Sequence, residues 1–148
     1  MKNKSIFYFA VVIIFFLICY HFWPAVNFDN SKYVEIAGQK VAVELALTNE
    51  AKEQGLSGRT ALGENEGMLF VFDRPDKYSF WMKGMKFPLD IIWLGENLKV
   101  VYIKKEVKPE TFPESYKPDA EAKYVLEVQA GFSDKNNLKT GDSVLFIN

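Results

Sequence analysis

The chain has 148 residues, of which 16% are aromatic and 25% charged, a composition that excludes a disordered polymer and suits one packed core. Of its 18 basic residues only Lys2 and Lys4 precede residue 31, and of its 19 acidic residues only Asp29. The remainder therefore carries 16 positive and 18 negative charges, with no electrostatic footprint for nucleic acid. Its one cysteine, Cys19, and one histidine, His21, both fall in the apolar N-terminus, which excludes disulfides, Cys or His metal sites, thiol nucleophiles and imidazole triads from the rest.

Ile6 to Trp23 contains no charged side chain, and as a helix it spans roughly 27 Å, close to the hydrocarbon thickness of a bilayer. Lys2 and Lys4 precede it, so the positive-inside rule puts residues 1–5 in the cytoplasm and everything after the segment outside. No small-residue cleavage site follows, which favours an uncleaved signal-anchor at 6–23, a linker at 24–32 and a single domain at 33–148. Cleavage, or lipidation of Cys19, is the alternative; bulky Ile18 before that cysteine argues against lipidation. Tyr20, Phe22 and Trp23 then form an interfacial aromatic belt or simply end the apolar run.

In the domain, Val41, Val43, Leu45 and Leu47 alternate with Ala42, Glu44 and Ala46, the period of a half-buried strand. Tyr33 to Ile36 pairs with it through a hairpin at Ala37-Gly38-Gln39. Thr48 caps a short helix from about Asn49 to Gln54, with Glu50 in its first turn and Gly55 as its stop. Strands are expected at Met68 to Phe72, Tyr78 to Met82, Leu89 to Leu94 and Leu98 to Ile103. Pro109, Pro113 and Pro118 make Lys104 to Pro118 a long surface loop, either a lid or a connection pinned by Phe112 and Tyr116. Tyr124 to Val128 and Ser143 to Ile147 complete an all-β domain with one short helix, of sandwich or barrel type.

The order Gly55-Leu56-Ser57-Gly58-Arg59, Gly67-Met68-Leu69-Phe70-Val71-Phe72, Phe80-Trp81-Met82-Lys83, Pro88-Leu89-Asp90-Ile91-Ile92 and Tyr124-Val125-Leu126-Glu127-Val128-Gln129-Ala130-Gly131 resembles the DUF192 family across Tyr33 to Asn148. The resemblance implies a compact, β-rich and commonly exported domain, and the family name itself assigns no function. The chain departs from the family pattern at Ser57, where Met is expected, and at Gly84-Met85, where Asn-Thr usually follows Trp-Met-Lys.

Six residues stand out as candidates for a binding site: Arg59, Met68, Trp81, Met82, Asp90 and Glu127. Asp90 shares a strand face with Ile92 and Leu94; if that face is internal the carboxylate needs a partner, and Arg59 is the first choice, as a structural clasp or as a ligand-facing pair. Met68, Trp81, Met82 and Met85 either fill the core or line an apolar pocket, with Lys83 and Lys86 flanking it. Glu127, between apolar neighbours, either meets a cross-strand cation or joins Asp90 as acid and base. These residues point to a membrane-tethered, extracytoplasmic binding or accessory module for a small molecule or envelope protein, with no cofactor, no metal and no catalytic residue assigned. A metal-independent enzyme using the two carboxylates and a structural partner in an envelope complex are the alternatives.

Overall fold

A computed structural model describes residues 33–148; the anchor and linker expected at 6–32 lie outside the described residues. Among the described residues no helix is long and apolar enough to cross a membrane. In chain order the elements are β1 (Tyr33–Ile36), β2 (Gln39–Ala46), α1 (Asn49–Gln54), β3 (Glu66–Asp76), β4 (Phe80–Trp81), β5 (Leu89–Leu94) and β6 (Val100–Val107), followed by a 3-10 turn (Pro109–Thr111), β7 (Ser115–Tyr116), β8 (Ala122–Gln129), α2 (Phe132–Lys135) and β9 (Val144–Ile147).

Seven strands form one sheet in the order β6-β5-β8-β3-β2-β1-β9, and β4 with β7 makes a separate two-stranded ribbon. The sheet curls until a bridge between Lys99 and Ser143 ties its two ends, giving the barrel-like all-β domain that the turn spacing implies. The hairpin between β1 and β2 turns on Ala37 and Gly38, both at positive φ, as a two-residue connection of this hand requires. Thr48 caps α1 by accepting a bond from the Ala51 amide (3.2 Å), and Gly55 at φ 51° ends it.

Several features go beyond or differ from the sequence reading. β2 and β3 run parallel, so residues 47–65 form a crossover that carries α1 over one face of the sheet. The aromatic stretch at Tyr78 to Met82 yields only the short β4, which leaves the main sheet to pair with β7. The Pro-rich segment is shorter than expected, since β6 runs on to Val107, and it is pinned as one of the two alternatives had it: Tyr116 is buried and pairs with Phe80, and Phe112 meets Trp81 edge-on. A second helix, the four-residue α2, adds to the one expected.

Each sheet face buries its own apolar cluster. One packs Val34, Val41, Leu69, Ile92, Leu126 and Phe132; the other packs Leu56, Met68, Phe70, Met82, Ile91 and Trp93 beneath α1 and the β4–β7 ribbon. Lying between both clusters, β5 is buried at all six positions, which is why its sequence reads as a nearly continuous apolar run.

Candidate functional site

Asp90 is fully buried on the face it shares with Ile92 and Leu94, as strand alternation implies. Its partner, however, is the backbone and not Arg59. One carboxylate oxygen accepts from the amides of Glu106 (2.8 Å) and Gly131 (3.2 Å), the other from Ser133 (2.8 Å). Asp90 thereby satisfies a positive-φ kink in β6 at Glu106 and the first turn of α2 at once, a closed structural role.

Arg59 sits on the other side of the sheet and forks onto Glu44 of β2 with bonds of 2.5 and 2.7 Å, replacing the expected Arg59–Asp90 clasp. The guanidinium holds the Glu44 carboxyl below its ordinary range. This pair is partly exposed and fastens the segment after α1 to the sheet.

Glu127 behaves differently. In β8 it stands directly opposite Met68 of β3 and Ile91 of β5, on the face that carries α1. Only 5% of it is exposed, no hydrogen bond or ion pair reaches its carboxyl among the described residues, and burial alone pushes it up to about 8. β8 comes close to β3 here because residue 67 is glycine: a Cβ there would stand 2.6 Å from the Glu127 carbonyl oxygen.

The carboxyl reaches the floor of an open cleft of about 600 Å³ between α1 and the β4 segment. Phe70, Phe72, Tyr78, Phe80 and Trp81 supply its aromatic walls. Phe72 stacks on Tyr78 with ring centroids 3.5 Å apart, and Phe80 meets Phe70 edge-on at 4.8 Å and Trp93 at 5.8 Å. Trp93 in turn donates its indole N–H to the Tyr78 carbonyl (2.9 Å), which fixes the wall to β5. Lys52 and Glu53 of α1 and Lys83 after β4 place the charges at the rim. The Lys52 ammonium lies 5.0 Å from the Phe72 ring centre, and that of Lys83 lies 5.8 Å from Trp81.

Of the six residues singled out from the sequence, Glu127 and Trp81 line the cleft. Met68 is buried beside Glu127, and Met82 is a buried core residue. Trp81 is 54% exposed and meets Phe112 edge-on at 6.2 Å, so it is a wall and not core. Arg59 and Asp90 do not line the cleft, and Asp90 cannot share chemistry with Glu127, because the two carboxyls project from opposite faces of one sheet. Lys83 joins the cleft and Lys86 does not. Phe70, Phe72, Tyr78, Phe80 and Lys52 are cleft residues that sequence reasoning missed; the alternation of Phe70 with Phe72 was the available signal. The two departures from the family pattern touch each other at this wall: the Ser57 hydroxyl donates to the Lys83 carbonyl (2.7 Å), a Cβ on Gly84 would lie 3.3 Å from that of Ser57, and Ser57 and Met85 both line the cleft.

A family profile described as an uncharacterised ACR, DUF192, matches residues 32–146. A crystal structure of a protein of unknown function from Novosphingobium aromaticivorans is similar, with 32% identity and a TM-score of 0.73, covering 83% of this chain and 92% of that one. A protein from Sinorhizobium meliloti, provisionally described as a transcription regulator, is similar at 26% identity and a TM-score of 0.72, covering 77% and 90% of the two chains. No curated protein matches.

Proposed function

This chain belongs to the DUF192 family, and we propose that it is a membrane-tethered, extracytoplasmic domain that binds a small organic ligand in the cleft between α1 and β4. One observation carries this reading: Glu127 is a largely buried carboxyl that no side chain or amide bonds among the described residues, and it lines an aromatic-walled cleft. Among the described residues the sealed polar side-chain atom without a partner is Ser133 Oγ, so the Glu127 oxygens face the open cleft, and a ligand that bonds them takes the place of water there. The tether rests on the apolar segment at 6–23 and on the position of Lys2 and Lys4 before it.

The opposed faces of Asp90 and Glu127 argue against the acid–base enzyme, since no side chain on one face can meet a substrate held on the other. The interspersed charge of the domain argues against DNA as the ligand, whatever the regulator from Sinorhizobium meliloti binds.

Two measurements test the proposal. Protease added to intact cells and to spheroplasts should digest the domain only where the outer face of the membrane is reached; protection in spheroplasts would refute the outward orientation. Ligand-detected NMR of the full-length protein in nanodiscs, with a panel of neutral, anionic and cationic aromatic fragments, should find binders that Phe80→Ala weakens. A panel with no binder, or binders indifferent to Phe80, would refute the cleft as a ligand site.

A further inference from the structure

Resting on the cleft as a ligand site, the geometry points to a ligand class: an organic anion with a flat apolar body, whose uncharged amide or carbonyl end meets Glu127 while its anionic end is held at the mouth by Lys52 and Lys83. Charge and depth are separated in this cleft. All its fully charged side chains, Lys52, Glu53 and Lys83, stand at the rim, and the floor holds one carboxyl among Phe70, Met68 and Ile91. Neither lysine forms an ion pair among the described residues, so both ammonium groups are available to an incoming anion.

At neutral pH the Glu127 carboxyl is predominantly protonated and presents one O–H donor beside one carbonyl acceptor. An amide offers the complementary edge; a carbonyl takes the donor alone. A carboxylate driven to the floor would have to shed its water among apolar rings, so the anionic group belongs outside. A cationic ligand fits poorly for a separate reason. The rings a cation would seek already carry protein ammonium groups, Lys52 at Phe72 and Lys83 at Trp81, and these would repel it. The remaining titratable group of the cleft, Tyr78, has its hydroxyl bonded to the Arg74 carbonyl (2.8 Å) and its pKa raised by burial, so it stays uncharged as Glu127 titrates.

The test compares three probes on the full-length protein in nanodiscs: 4-acetamidobenzoate, which joins an amide to a carboxylate across one ring; acetanilide, which lacks the carboxylate; and benzylammonium. The expected order of affinity is acetamidobenzoate first, acetanilide second and benzylammonium last. Acetamidobenzoate should lose about tenfold in affinity from pH 7 to pH 9 as Glu127 ionises. Glu127→Gln, which keeps a neutral donor and acceptor, should retain binding and abolish that pH dependence. Lys52→Gln with Lys83→Gln should reduce acetamidobenzoate to the affinity of acetanilide. Tighter binding of benzylammonium, strengthening with pH and lost in Glu127→Gln, would overturn the ligand class and leave the cleft standing as a site. Failure of all three probes to bind would overturn the ligand class together with the cleft reading on which it rests.

Discussion

Asp90 on β5 and Glu127 on β8 are one residue out of register on adjacent strands, and that single step places them on opposite faces of the sheet. Among the described residues, three backbone amides bond Asp90 and none bonds Glu127. The same side-chain chemistry is thus spent on the fold in one case and left open in the other.

The Glu127 carboxyl should impose a pH dependence on stability opposite to that of an ion-paired acid. Its folded pKa, about 8, lies above the ordinary 4.5, so the fold favours the protonated form. Its contribution is greatest below 4.5, is lost as pH rises to 8, and is level beyond, with a slope of about 1.4 kcal/mol per pH unit inside that window. Urea titrations at several pH values should show this fall in the parent protein relative to Glu127→Gln. Parallel profiles would mean that Glu127 is not held protonated. Glu44 and Glu64, both lowered by cationic partners, act the other way under acid conditions and cancel in the difference.

Removing Asp90 should be severe. Asp90→Ala leaves the amides of Glu106, Gly131 and Ser133 without acceptors, at about 1 to 3 kcal/mol for each buried donor that water cannot reach. Hydrogen exchange at those three amides should accelerate together, and the denaturation midpoint should fall. A double-mutant cycle should give Arg59 and Asp90 no coupling, whereas Arg59 and Glu44 couple by about 0.2 to 1 kcal/mol, as befits a partly exposed pair.

Gly67→Ala should damage the site through the backbone. The new Cβ would meet the Glu127 carbonyl at 2.6 Å, which forces β3 and β8 apart. A destabilisation of about 1 to 3 kcal/mol is expected, with amide chemical-shift changes centred on residues 126–128. Unchanged shifts there would show that the strands can absorb the methyl group.

Trp81 and Met82 are neighbours with opposite fates, and alanine scanning should separate them. Met82, 1% exposed, should cost about 2 to 5 kcal/mol on truncation; Trp81, more than half exposed, should cost about 1 kcal/mol or less while impairing ligand capture. Equal losses of stability would contradict the wall role of Trp81.

How much of this was legible in the sequence depends on whether a residue's partner was another side chain or the backbone. The first hairpin, the cap at Thr48 and the stop at Gly55 are local devices and can be read directly. Alternation placed Asp90 on the face of Ile92 and Leu94 but left its burial conditional, because both faces of β5 are buried; its partners are amides, which no letter records. Arg59 found Glu44, which the alternation of β2 marked only as lying on the face opposite Val43 and Leu45. The parallel pairing of β2 with β3 was hidden because a period of two identifies a strand and says nothing about the direction of its neighbour. Glu127 was expected to meet a cross-strand cation or Asp90; the residues opposite it are Met68 and Ile91, a matter of register that its own apolar neighbours do not reveal.

The register that sets Tyr33 opposite Ile147 brings the two ends of the domain together on adjacent strands. A few residues would therefore suffice to join them, and the chain could be reopened elsewhere, for instance at the exposed stretch Asp119–Glu121, with every strand keeping its neighbours. The same closeness means that the domain could be spliced into a surface loop of a host protein, entering and leaving through one narrow doorway, with the α1 cleft carried along intact.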